Sequence, residues 1–498
     1  MGAFKEFLDD LKNKGELKVI TEEVDGELQA SAICTMSQRV GGPAVWFDNV
    51  KGYPGMPLVG SVYCGPGFIE WPQQTRRMQG RMAMALGLEP DTHYDEVLET
   101  VIDRKSSPIR AIEVETGPCR DVVMEGPEVD LYRYPIPKIH DKDGGRYLTS
   151  HVVLTRDAES GWTNLGVYRL MLTGRNTLVQ GTAPRLTRPR HIQQMVTKYA
   201  QKGRPLPFAI AIGPPPEMMM AACLDTPPGT DEYALAGGLG LSSLAVVKAR
   251  LSDILVPADA EIILEGHIYP QEMGEEGPFG GVSFYTNKTQ DFVYRVECIT
   301  QCQNPILPFV AEGARFSDTM CLFSLLHSAE LTTLLRNCGV PVKWVTLPVE
   351  ARLVLAVVCL AAQPVPGLQG RSADLIFGNS PFVRQVIFVD PDVDSEDLIL
   401  ALTDRVYKAN FIRDYCIDPK IDKPLGLTEN GDFNRQLTSC MYIDATWRMD
   451  RPSETIPRRV TFESCFPEEV QEKVIKNWNE KWKLSPRVWR YKAGTTVK

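Results

Sequence analysis

The sequence predicts a multidomain α/β (α+β) protein with a β-barrel-like domain at its centre. Its 498 residues exceed the roughly 250–300 at which a single hydrophobic core stops growing, so two or three domains are expected. Helical and strand-like hydrophobic periodicities alternate near both ends of the chain, which is typical of α/β layers. The middle of the chain contains mostly strand-like segments.

The first α/β domain is predicted at residues 1–115. Phe4, Leu8 and Leu11 recur at helical spacing, and a strand-like run follows at 17–20. This alternation of helix and strand continues through the segment. We therefore expect an α/β layer that begins at the N-terminus.

The second domain is predicted at residues 116–315 and is rich in β structure. Strand-like segments include 163–172 and 261–268. Two helices interrupt them, one from Pro189 to about Gln201 and one that follows Thr230. This succession of strands predicts a barrel or a sandwich.

A third α/β domain is predicted at residues 316–460, followed by a helix and tail at 461–498. An amphipathic helix after Ser317 begins the third domain, and strand–helix alternation resumes beyond it. In the final helix, Trp478 and Trp482 lie four residues apart, so both occupy one face. Such a face is more easily buried against another subunit than exposed to water, which predicts an oligomer contact.

The composition excludes several classes of protein. The net charge is −9, the isoelectric point is near 5.4 and no dense run of Lys and Arg is present, so nucleic acid is not an expected partner. The 12 cysteines show no paired C-x-x-C spacing and no secretory signal precedes them, which favours reduced thiols and a cytoplasmic location. The longest apolar stretch, 353–362, is shorter than the roughly 20 residues of a membrane-spanning helix, so it indicates a buried strand and no membrane partner.

A glycine-rich loop with carboxylates is the first candidate for catalysis. The run Glu275–Gly281 is Glu-Glu-Gly-Pro-Phe-Gly-Gly, and its glycines and proline restrict the backbone and allow close approach to a cleft. Glu276 lies between a predicted strand and this turn, where a rigid loop can position a catalytic carboxylate. A charged surface turn is the alternative interpretation.

The run Thr163–Arg169, Thr-Asn-Leu-Gly-Val-Tyr-Arg, is the second candidate. In a regular strand Asn164 and Arg169 have opposite parity and point to opposite faces. A bulge or kink at Gly166 would allow both side chains to face one site. An arginine within an apolar strand requires an anionic partner, so a structural ion pair and a catalytic role are both compatible with Arg169.

His191 and Glu232 each stand at the start of a predicted helix. A glutamate there is favoured by the helix dipole, and His191 borders an apolar helix face, so a structural role is the alternative for each residue. Together with Asn164, however, they provide amide, imidazole and carboxylate groups. This combination suits Mn²⁺ or Mg²⁺.

Together, these motifs resemble the UbiD family of prenylated-FMN-dependent decarboxylases. The likeness covers about residues 1–450 and rests on four motifs in the family's order: Thr-Asn-x-x-x-x-Arg, a histidine that begins a helix, Glu-Tyr-Ala and Glu-Gly-Pro-Phe-Gly. It implies a central split β-barrel domain that binds the flavin, flanked by α/β domains. It also implies a carboxy-lyase whose cofactors are prenylated FMN, Mn²⁺ (or Mg²⁺) and K⁺.

The resemblance implies roles for individual residues. Asn164, His191 and Glu232 would hold the divalent metal against the cofactor phosphate. Arg169 and Glu276 would be two members of the family's Glu-Arg-Glu catalytic set, with Arg169 also close to the reactive edge of the flavin. The remaining implied contacts are backbone carbonyls that bind K⁺, at Trp162, Ala222 and Leu224, and a residue that lines the cofactor, Thr149.

One catalytic position departs from the family pattern. Many members have a second carboxylate directly after Glu-Gly-Pro-Phe-Gly, where this chain has Gly281. The candidate proton donors are therefore His327, Glu276 or a water that they hold. His327 lies where the family pocket usually presents an apolar side chain, and an imidazole with an ordinary pKa of about 6.5 can bind or deprotonate a phenolic hydroxyl. Arg190 is a second candidate for substrate binding, and a core histidine and a solvated arginine are the respective alternatives.

The resemblance predicts reversible non-oxidative decarboxylation of a hydroxybenzoate, most similar to the AroY-type conversion of 3,4-dihydroxybenzoate (protocatechuate) to catechol and CO₂. Loss of CO₂ from an aromatic carbon leaves a carbanion that no side chain can delocalise, so a cofactor must accept its electrons. Gallate, 4-hydroxybenzoate and polyprenyl-hydroxybenzoate are alternative substrates, and a flavin-binding carrier or reductase is the alternative from another class. The expected partners are a small aromatic acid, further copies of the chain in a dimer or hexamer of dimers, and a separate flavin prenyltransferase that supplies the cofactor.

Overall fold

The computed structural model describes residues 2–65, 78–181, 190–313, 316–361, 365–424, 437–448, 450–460 and 462–483. Pro189, predicted above as a helix start, and residues 484–498 of the predicted tail lie outside this part of the chain. The described residues form a mixed α/β protein with four sheets, of which the largest curls into a half-barrel. The predicted fold class is confirmed.

The elements follow one another along the chain with helices and strands interspersed. The helices are α1 (Ala3–Asn13), α2 (Gln29–Arg39), α3 (Gly80–Ala85), α4 (Tyr94–Lys105), α5 (His191–Gln201), α6 (Pro216–Ala221), α7 (Glu232–Gly240), α8 (Asp318–Asn337), α9 (Leu368–Asn379), α10 (Leu398–Tyr407), α11 (Phe462–Cys465) and α12 (Glu468–Glu480). The strands are β1 (Leu17–Ile20), β2 (Ala44–Phe47), β3 (Leu58–Gly60), β4 (Ile112–Glu113), β5 (Val122–Glu125), β6 (Tyr147–Leu148), β7 (His151–Arg156), β8 (Thr163–Gly166), β9 (Arg169–Gly174), β10 (Thr177–Gly181), β11 (Leu206–Ile212), β12 (Ala245–Lys248), β13 (Leu255–Pro257), β14 (Ile262–Glu276), β15 (Thr289–Gln301), β16 (Leu307–Phe309), β17 (Val342–Thr346), β18 (Leu355–Leu360), β19 (Gln385–Val389), β20 (Tyr415–Pro424) and β21 (Leu437–Ala445).

The N-terminal part packs helices against a four-stranded sheet of order β1-β2-β3-β16. In α1 the side chains of Phe4, Phe7, Leu8 and Leu11 are buried, which is the one-sided pattern of an amphipathic helix. β16 reaches this sheet from the central region and pairs in parallel with β3. The domain boundaries given above stay predictions.

The central sheet has nine strands in the described part, in the order β6-β9-β10-β15-β14-β11-β7-β8 with β5 paired to β15. β14 and β15 are 15 and 13 residues long. Their register shifts between Glu265 and Gly266. A bulge of this kind bends a strand and increases its twist, which favours the curl of the sheet.

The half-barrel is covered on both faces. In β7, Val153 packs in one hydrophobic cluster, whereas Val152 and Leu154 pack in another. β11 follows the same rule, and its run 208–212 is apolar throughout. A strand buried on both faces reads as a continuous apolar run, because neither face meets water.

The C-terminal part contains a five-stranded sheet of order β17-β18-β19-β21-β20. The apolar run predicted as a buried strand contains β18, whose residues are all buried, and residue 362 at its predicted end lies outside the described part. In α12 and the turn after it, Trp478 is half-buried and Trp482 is 47% exposed, and the oligomer contact predicted for this face stays a prediction. No helix in the described ranges is long and apolar enough to cross a bilayer.

Candidate active site

A buried ion pair joins Arg169, the first residue of β9, to Glu276, the last residue of β14. Nε of Arg169 donates to Oε1 of Glu276 at 2.9 Å, and Nη2 donates to Oε2 at 2.9 Å. The Glu276 side chain is fully buried, whereas 17% of the Arg169 side chain is exposed. Two parallel hydrogen bonds fix the relative orientation of both groups. The loop carboxylate therefore lies inside the protein and not on a surface turn.

Hydroxyl groups and an aromatic ring surround this pair. Tyr147 OH donates to Oε1 of Glu276 at 2.9 Å, and Thr286 Oγ1 accepts from Nη2 of Arg169 at 3.4 Å. The guanidinium carbon of Arg169 lies 4.9 Å from the centre of the Phe279 ring, within cation–π range. Burial, and then the charge of Glu276, raise the pKa of Tyr147, so its phenol stays protonated and donates.

The chain changes direction between Asn164 and Arg169. β8 ends at Gly166 and pairs with β7, whereas β9 begins at Arg169 and pairs with β10 and β6. The segment 163–172, predicted as one strand, is therefore two strands. Of the two alternatives left open above, the interrupted strand is the one that the structure contains. A Cβ at Gly166 would lie 2.5 Å from the Tyr168 ring, so this bend accommodates glycine best. Because Asn164 and Arg169 lie in different strands, the alternation of side chains along one strand does not force them to opposite faces.

A second cluster contains Asn164, His191 and Glu232. His191 begins α5, and its Nδ1 lies 2.7 Å from Oδ1 of Asn164. Glu232 begins α7; its Oε2 accepts the backbone N–H of Leu165, and its Oε1 accepts the hydroxyl of Thr226 at 2.7 Å. One strand and two helix starts thus bring an amide, an imidazole and a carboxyl group to one place.

Burial sets the charge state of this cluster. Glu232 is 1% exposed. Burial raises its pKa to about 7, although hydrogen bonds from Leu165 and Thr226 act to lower it. Burial lowers the pKa of His191 against the charge of Asp225, so the imidazole is neutral, as metal binding requires. Nδ2 of Asn164 is buried without a hydrogen-bond partner among the described residues. A buried donor without an acceptor is unfavourable, and an anionic ligand would provide one.

The three residues of this cluster line a cavity of about 620 Å³. That volume lies within the range of small-molecule and cofactor sites. Val167 and Tyr168, which directly precede Arg169, also line it. Arg169 is thus the next residue along the chain after two residues of the cavity wall.

The residues predicted for K⁺ and for the cofactor lie as follows. Ala222 and Leu224, which follow α6, line the cavity. The Trp162 ring packs edge-on against His191 at 5.0 Å between ring centres. Thr149 is 7% exposed, and its Oγ1 accepts the N–H of Val310 at 2.8 Å. The roles assigned to these residues stay predictions.

His327 lies in α8 and lines the same cavity. Its imidazole packs between the rings of Phe323 and Phe382, at 5.5 and 5.4 Å between ring centres. Nδ1 lies 3.6 Å from Oε2 of Glu330. Burial lowers the pKa of His327 in spite of that carboxylate, so a neutral imidazole faces the cavity.

Arg190 precedes α5 and also lines the cavity. Its guanidinium carbon lies 5.4 Å from the centre of the Tyr168 ring, and Nη1 donates to the carbonyl of Val167 at 3.5 Å. Its Nε is buried without a hydrogen-bond partner among the described residues. A carboxylate or phosphate oxygen would satisfy this donor.

The loop after Glu276 packs tightly except at Gly281. The N–H of Gly280 donates to Oδ1 of Asp143 at 2.8 Å, and a Cβ at Gly280 would lie 2.5 Å from the His140 ring. At Gly281 the nearest atom to a Cβ would be the carbonyl oxygen of Phe284 at 3.6 Å, an ordinary contact. Packing therefore does not impose glycine at position 281.

Two family models match the part of the chain that carries these clusters. The UbiD model, described as the 3-octaprenyl-4-hydroxybenzoate carboxy-lyase Rift-related domain, matches residues 110–315, and the N-terminal domain model of the same carboxy-lyase matches residues 8–101. Together they cover more than half of the chain. The chain belongs to the UbiD family. It is accordingly a carboxy-lyase.

Relatives of the UbiD chain match it over nearly its full length. Pyrrole-2-carboxylic acid decarboxylase of Pseudomonas aeruginosa is 29% identical, over 96% of this chain and 97% of that protein. The solved UbiD-class enzyme HmfF of Pelotomaculum thermopropionicum, in complex with FMN, is 27% identical with a TM-score of 0.79, over 92% of this chain and 97% of that chain. Vanillic acid decarboxylase of Sedimentibacter hydroxybenzoicus, in open form, is 25% identical with a TM-score of 0.80, over 97% and 98%.

The predicted closeness to AroY-type enzymes stays a prediction. The 3,4-dihydroxybenzoic acid decarboxylase AroY of Klebsiella pneumoniae superposes with a TM-score of 0.78 but is only 20% identical, over 95% of this UbiD chain and 99% of AroY. Likeness at this level of identity establishes the shared fold.

Proposed function

We propose that this UbiD-family chain is a prenylated-FMN-dependent decarboxylase of small aromatic acids, with 3,4-dihydroxybenzoate as the leading substrate. The observation that carries the proposal is the buried bidentate Arg169–Glu276 pair. Val167 and Tyr168, directly before Arg169 in the chain, line a cavity together with Asn164, His191 and Glu232. HmfF, solved with FMN and, in an evolved dimeric form, with prFMN, supports the choice of cofactor.

The residues around the cavity fit such a cofactor. Asn164, His191 and Glu232 would hold Mn²⁺ (or Mg²⁺) beside its phosphate, because amide oxygen, imidazole nitrogen and carboxylate oxygen are suitable ligands. The unpartnered donors of Asn164 and Arg190 fit anionic oxygens. K⁺ would be bound by the backbone carbonyls of Trp162, Ala222 and Leu224. Thr149 would line the flavin. When bound, prenylated FMN supplies an electron sink for the electron pair left by CO₂.

The protein's own residues orient the acid and exclude water. Arg169 is held in one orientation by Glu276 and Phe279, so its positive charge is fixed where negative charge must be stabilised. Arg190 can bind the substrate carboxylate through its free Nε–H. The neutral imidazole of His327 can accept a proton or a hydrogen bond from a ring hydroxyl.

The cavity wall supports a small polar ring as substrate. His327 lies between two phenylalanines, so the wall offers apolar faces with one hydrogen-bonding group. A hydroxybenzoate matches this wall, and gallate and 4-hydroxybenzoate do so almost equally. Pyrrole-2-carboxylate is the second candidate, because a decarboxylase of that acid is 29% identical over 96% of the chain and its ring N–H can also donate to a neutral imidazole.

In the cell, the protein would assemble with further copies of itself and depend on a second enzyme. A homo-oligomer, either a dimer or a hexamer of dimers, would cover the 47% exposed Trp482. A separate flavin prenyltransferase would supply the mature cofactor, and the expected location is the cytoplasm.

The test is reconstitution with prenylated FMN, Mn²⁺ and K⁺, followed by measurement of CO₂ released from a panel of acids. The panel contains 3,4-dihydroxybenzoate, gallate, 4-hydroxybenzoate, a polyprenyl-hydroxybenzoate, vanillate and pyrrole-2-carboxylate. We expect the highest kcat/KM with 3,4-dihydroxybenzoate; turnover of pyrrole-2-carboxylate alone would replace that substrate, and no turnover of any acid would refute the decarboxylase. Arg169→Ala distinguishes a decarboxylase from a flavin carrier. A decarboxylase should lose turnover, whereas a carrier that still binds flavin should keep its function.

A further inference from the structure

Glu312, which follows β16, is a buried carboxyl group with no role in the function proposed above. The residue is 8% exposed. Its Oε1 accepts a hydrogen bond from the hydroxyl of Thr319. Its Oε2 is out of contact with solvent and has no hydrogen-bond partner among the described residues. An ionised carboxylate oxygen in such a position would be strongly disfavoured, so the geometry favours the protonated acid.

Glu312 is also joined to the loops that carry the catalytic pair. Nε2 of His140 donates to the backbone carbonyl of Glu312 at 2.8 Å. The same imidazole packs against the Phe279 ring, at 6.4 Å between ring centres, and the face of that ring meets the Arg169 guanidinium. Val310, two residues before Glu312, donates its backbone N–H to the hydroxyl of Thr149. Thr149 is the residue predicted to line the cofactor. Glu312 is therefore linked through His140 and Phe279 to Arg169, and through Val310 to the expected cofactor contact.

The charges around Glu312 suit an acid that gives up a proton. Burial raises the pKa of Glu312. The hydroxyls of Thr319 and Ser317 and the charges of His140 and Arg169 act in the opposite direction and lower it. Burial would lower the pKa of His140, but its contacts with Asp143 and with Glu312 raise it overall. The carboxylate formed by loss of the proton would thus be stabilised by the charge of Arg169 and by that of His140 when its imidazole is protonated. Asp143 and Glu276 partner His140 and Arg169, and the loop of His140 also carries Asp141 and Lys142.

We propose that Glu312 provides the second carboxyl group of the active site and delivers the proton that replaces CO₂. This inference rests on the proposed decarboxylation. The bond between the ring carbon and the carboxylate carbon breaks, CO₂ leaves, and the remaining electron pair ends in a new C–H bond whose proton comes from Oε2 of Glu312. Glu312 becomes a carboxylate and regains a proton from solvent, so one substrate carboxylate and one proton yield one ring C–H and CO₂. Gly281, where the family pattern has a carboxylate, has no group for this role.

The first test compares Glu312→Gln with the wild type and with Glu217→Gln. Glu217 is a matched control, since burial also raises its pKa and its side chain, in α6, packs beside Gly240 at the far end of α7 from Glu232. Each protein is reconstituted and assayed for CO₂ release and for exchange of the product's ring hydrogen in D₂O, which needs the proton donor but no CO₂. We expect Glu312→Gln to lose at least about 100-fold in both rates and to bind FMN as the wild type does. The control should keep both rates.

The second test does not depend on the loaded enzyme. Infrared spectra of the cofactor-free wild type at neutral pH should contain a protonated-carboxyl band that is absent in Glu312→Gln and shifted in Glu312→Asp. If Glu312→Gln does not fold, the shift of the band in Glu312→Asp identifies it as the band of Glu312. In the wild type, the loss of this band with rising pH should coincide with the high-pH decline of kcat.

The outcomes separate the two proposals. A wild type that decarboxylates, with Glu312→Gln at the same rate, overturns the role of Glu312 alone. A band that shows Glu312 ionised at the working pH does the same. A wild type that is inactive with every acid overturns the decarboxylase and this role together.

Discussion

The two clusters of the site differ in how far the protein itself satisfies them. Glu276 receives two hydrogen bonds from Arg169 and one from Tyr147 and is fully buried. In the Asn164–His191–Glu232 cluster, Nδ2 of Asn164 is buried without a partner among the described residues, and all three residues face a cavity of about 620 Å³. Folding alone satisfies the first cluster, whereas the second retains a buried donor that a bound ligand would satisfy.

The largest effect should come from breaking the first cluster. Arg169→Ala leaves the buried Glu276 carboxylate without its cation, which typically costs about 3–5 kcal/mol, and removes a fixed charge from the site, which costs about 10²–10³ in kcat. The free energy of unfolding is measured by urea denaturation of the cofactor-free protein, and kcat on the reconstituted enzyme.

Lys288→Ala is the matched control for this prediction. Lys288 pairs with Glu275, the neighbour of Glu276, at 2.6 Å, but 61% and 55% of the two side chains are exposed. Exposed pairs contribute about 0–1 kcal/mol. Equal losses of stability in the two variants would contradict the contrast between a buried and a solvated pair.

Breaking the second cluster should leave the cofactor-free protein nearly as stable as the wild type. His191→Ala removes one contact with Asn164 and should lower the free energy of unfolding by about 1 kcal/mol. In the wild type, Mn²⁺ together with FMN at about 100 times the dissociation constant should add about 2.7 kcal/mol, and His191→Ala should lose most of this gain. Thermal denaturation with and without both ligands measures the difference, and an undiminished gain in the variant would remove His191 from the metal site.

A smaller effect is expected at the far wall of the cavity. His327→Phe keeps an aromatic ring between Phe323 and Phe382 but loses the hydrogen-bonding nitrogen, so kcat/KM for 3,4-dihydroxybenzoate should fall about tenfold, from a lost hydrogen bond of about 1.4 kcal/mol. Benzoate, which lacks ring hydroxyls, serves as the comparison substrate. A parallel fall with both acids would indicate a packing defect and not recognition of the hydroxyl group.

Local sequence patterns predicted most of the fold. The spacing of Phe4, Leu8 and Leu11 located α1, and the apolar run 208–212 corresponds to a strand buried on both faces. The strand predicted at 163–172 is in fact β8 and β9, because Gly166 allows a bend that strand propensity alone does not reveal. The metal and K⁺ roles and the domain boundaries stay predictions.

The sequence predicted only those residues of the candidate site that belong to a recognisable motif. Arg169 and Glu276 each belong to a motif, and the structure pairs them across 107 positions of sequence. Tyr147 and Glu312 stand in no such motif, and their significance comes from burial and from contacts made by distant loops. A single sequence contains no local signal for such tertiary contacts.

The smallest effect on stability should come from restoring a carboxylate to the loop after the first cluster. Gly281 does not have a positive φ, and a Cβ there would make an ordinary contact at 3.6 Å, so Gly281→Glu should change the free energy of unfolding by less than about 0.5 kcal/mol. In the Glu312→Gln background the same change should raise CO₂ release at least about tenfold, because it returns an acid to the loop that follows Glu276, where the family pattern has a carboxylate. Gly281→Gln in that background is isosteric but cannot donate a carboxyl proton, so equal recovery with glutamine would show that space and polarity, not the proton, were restored.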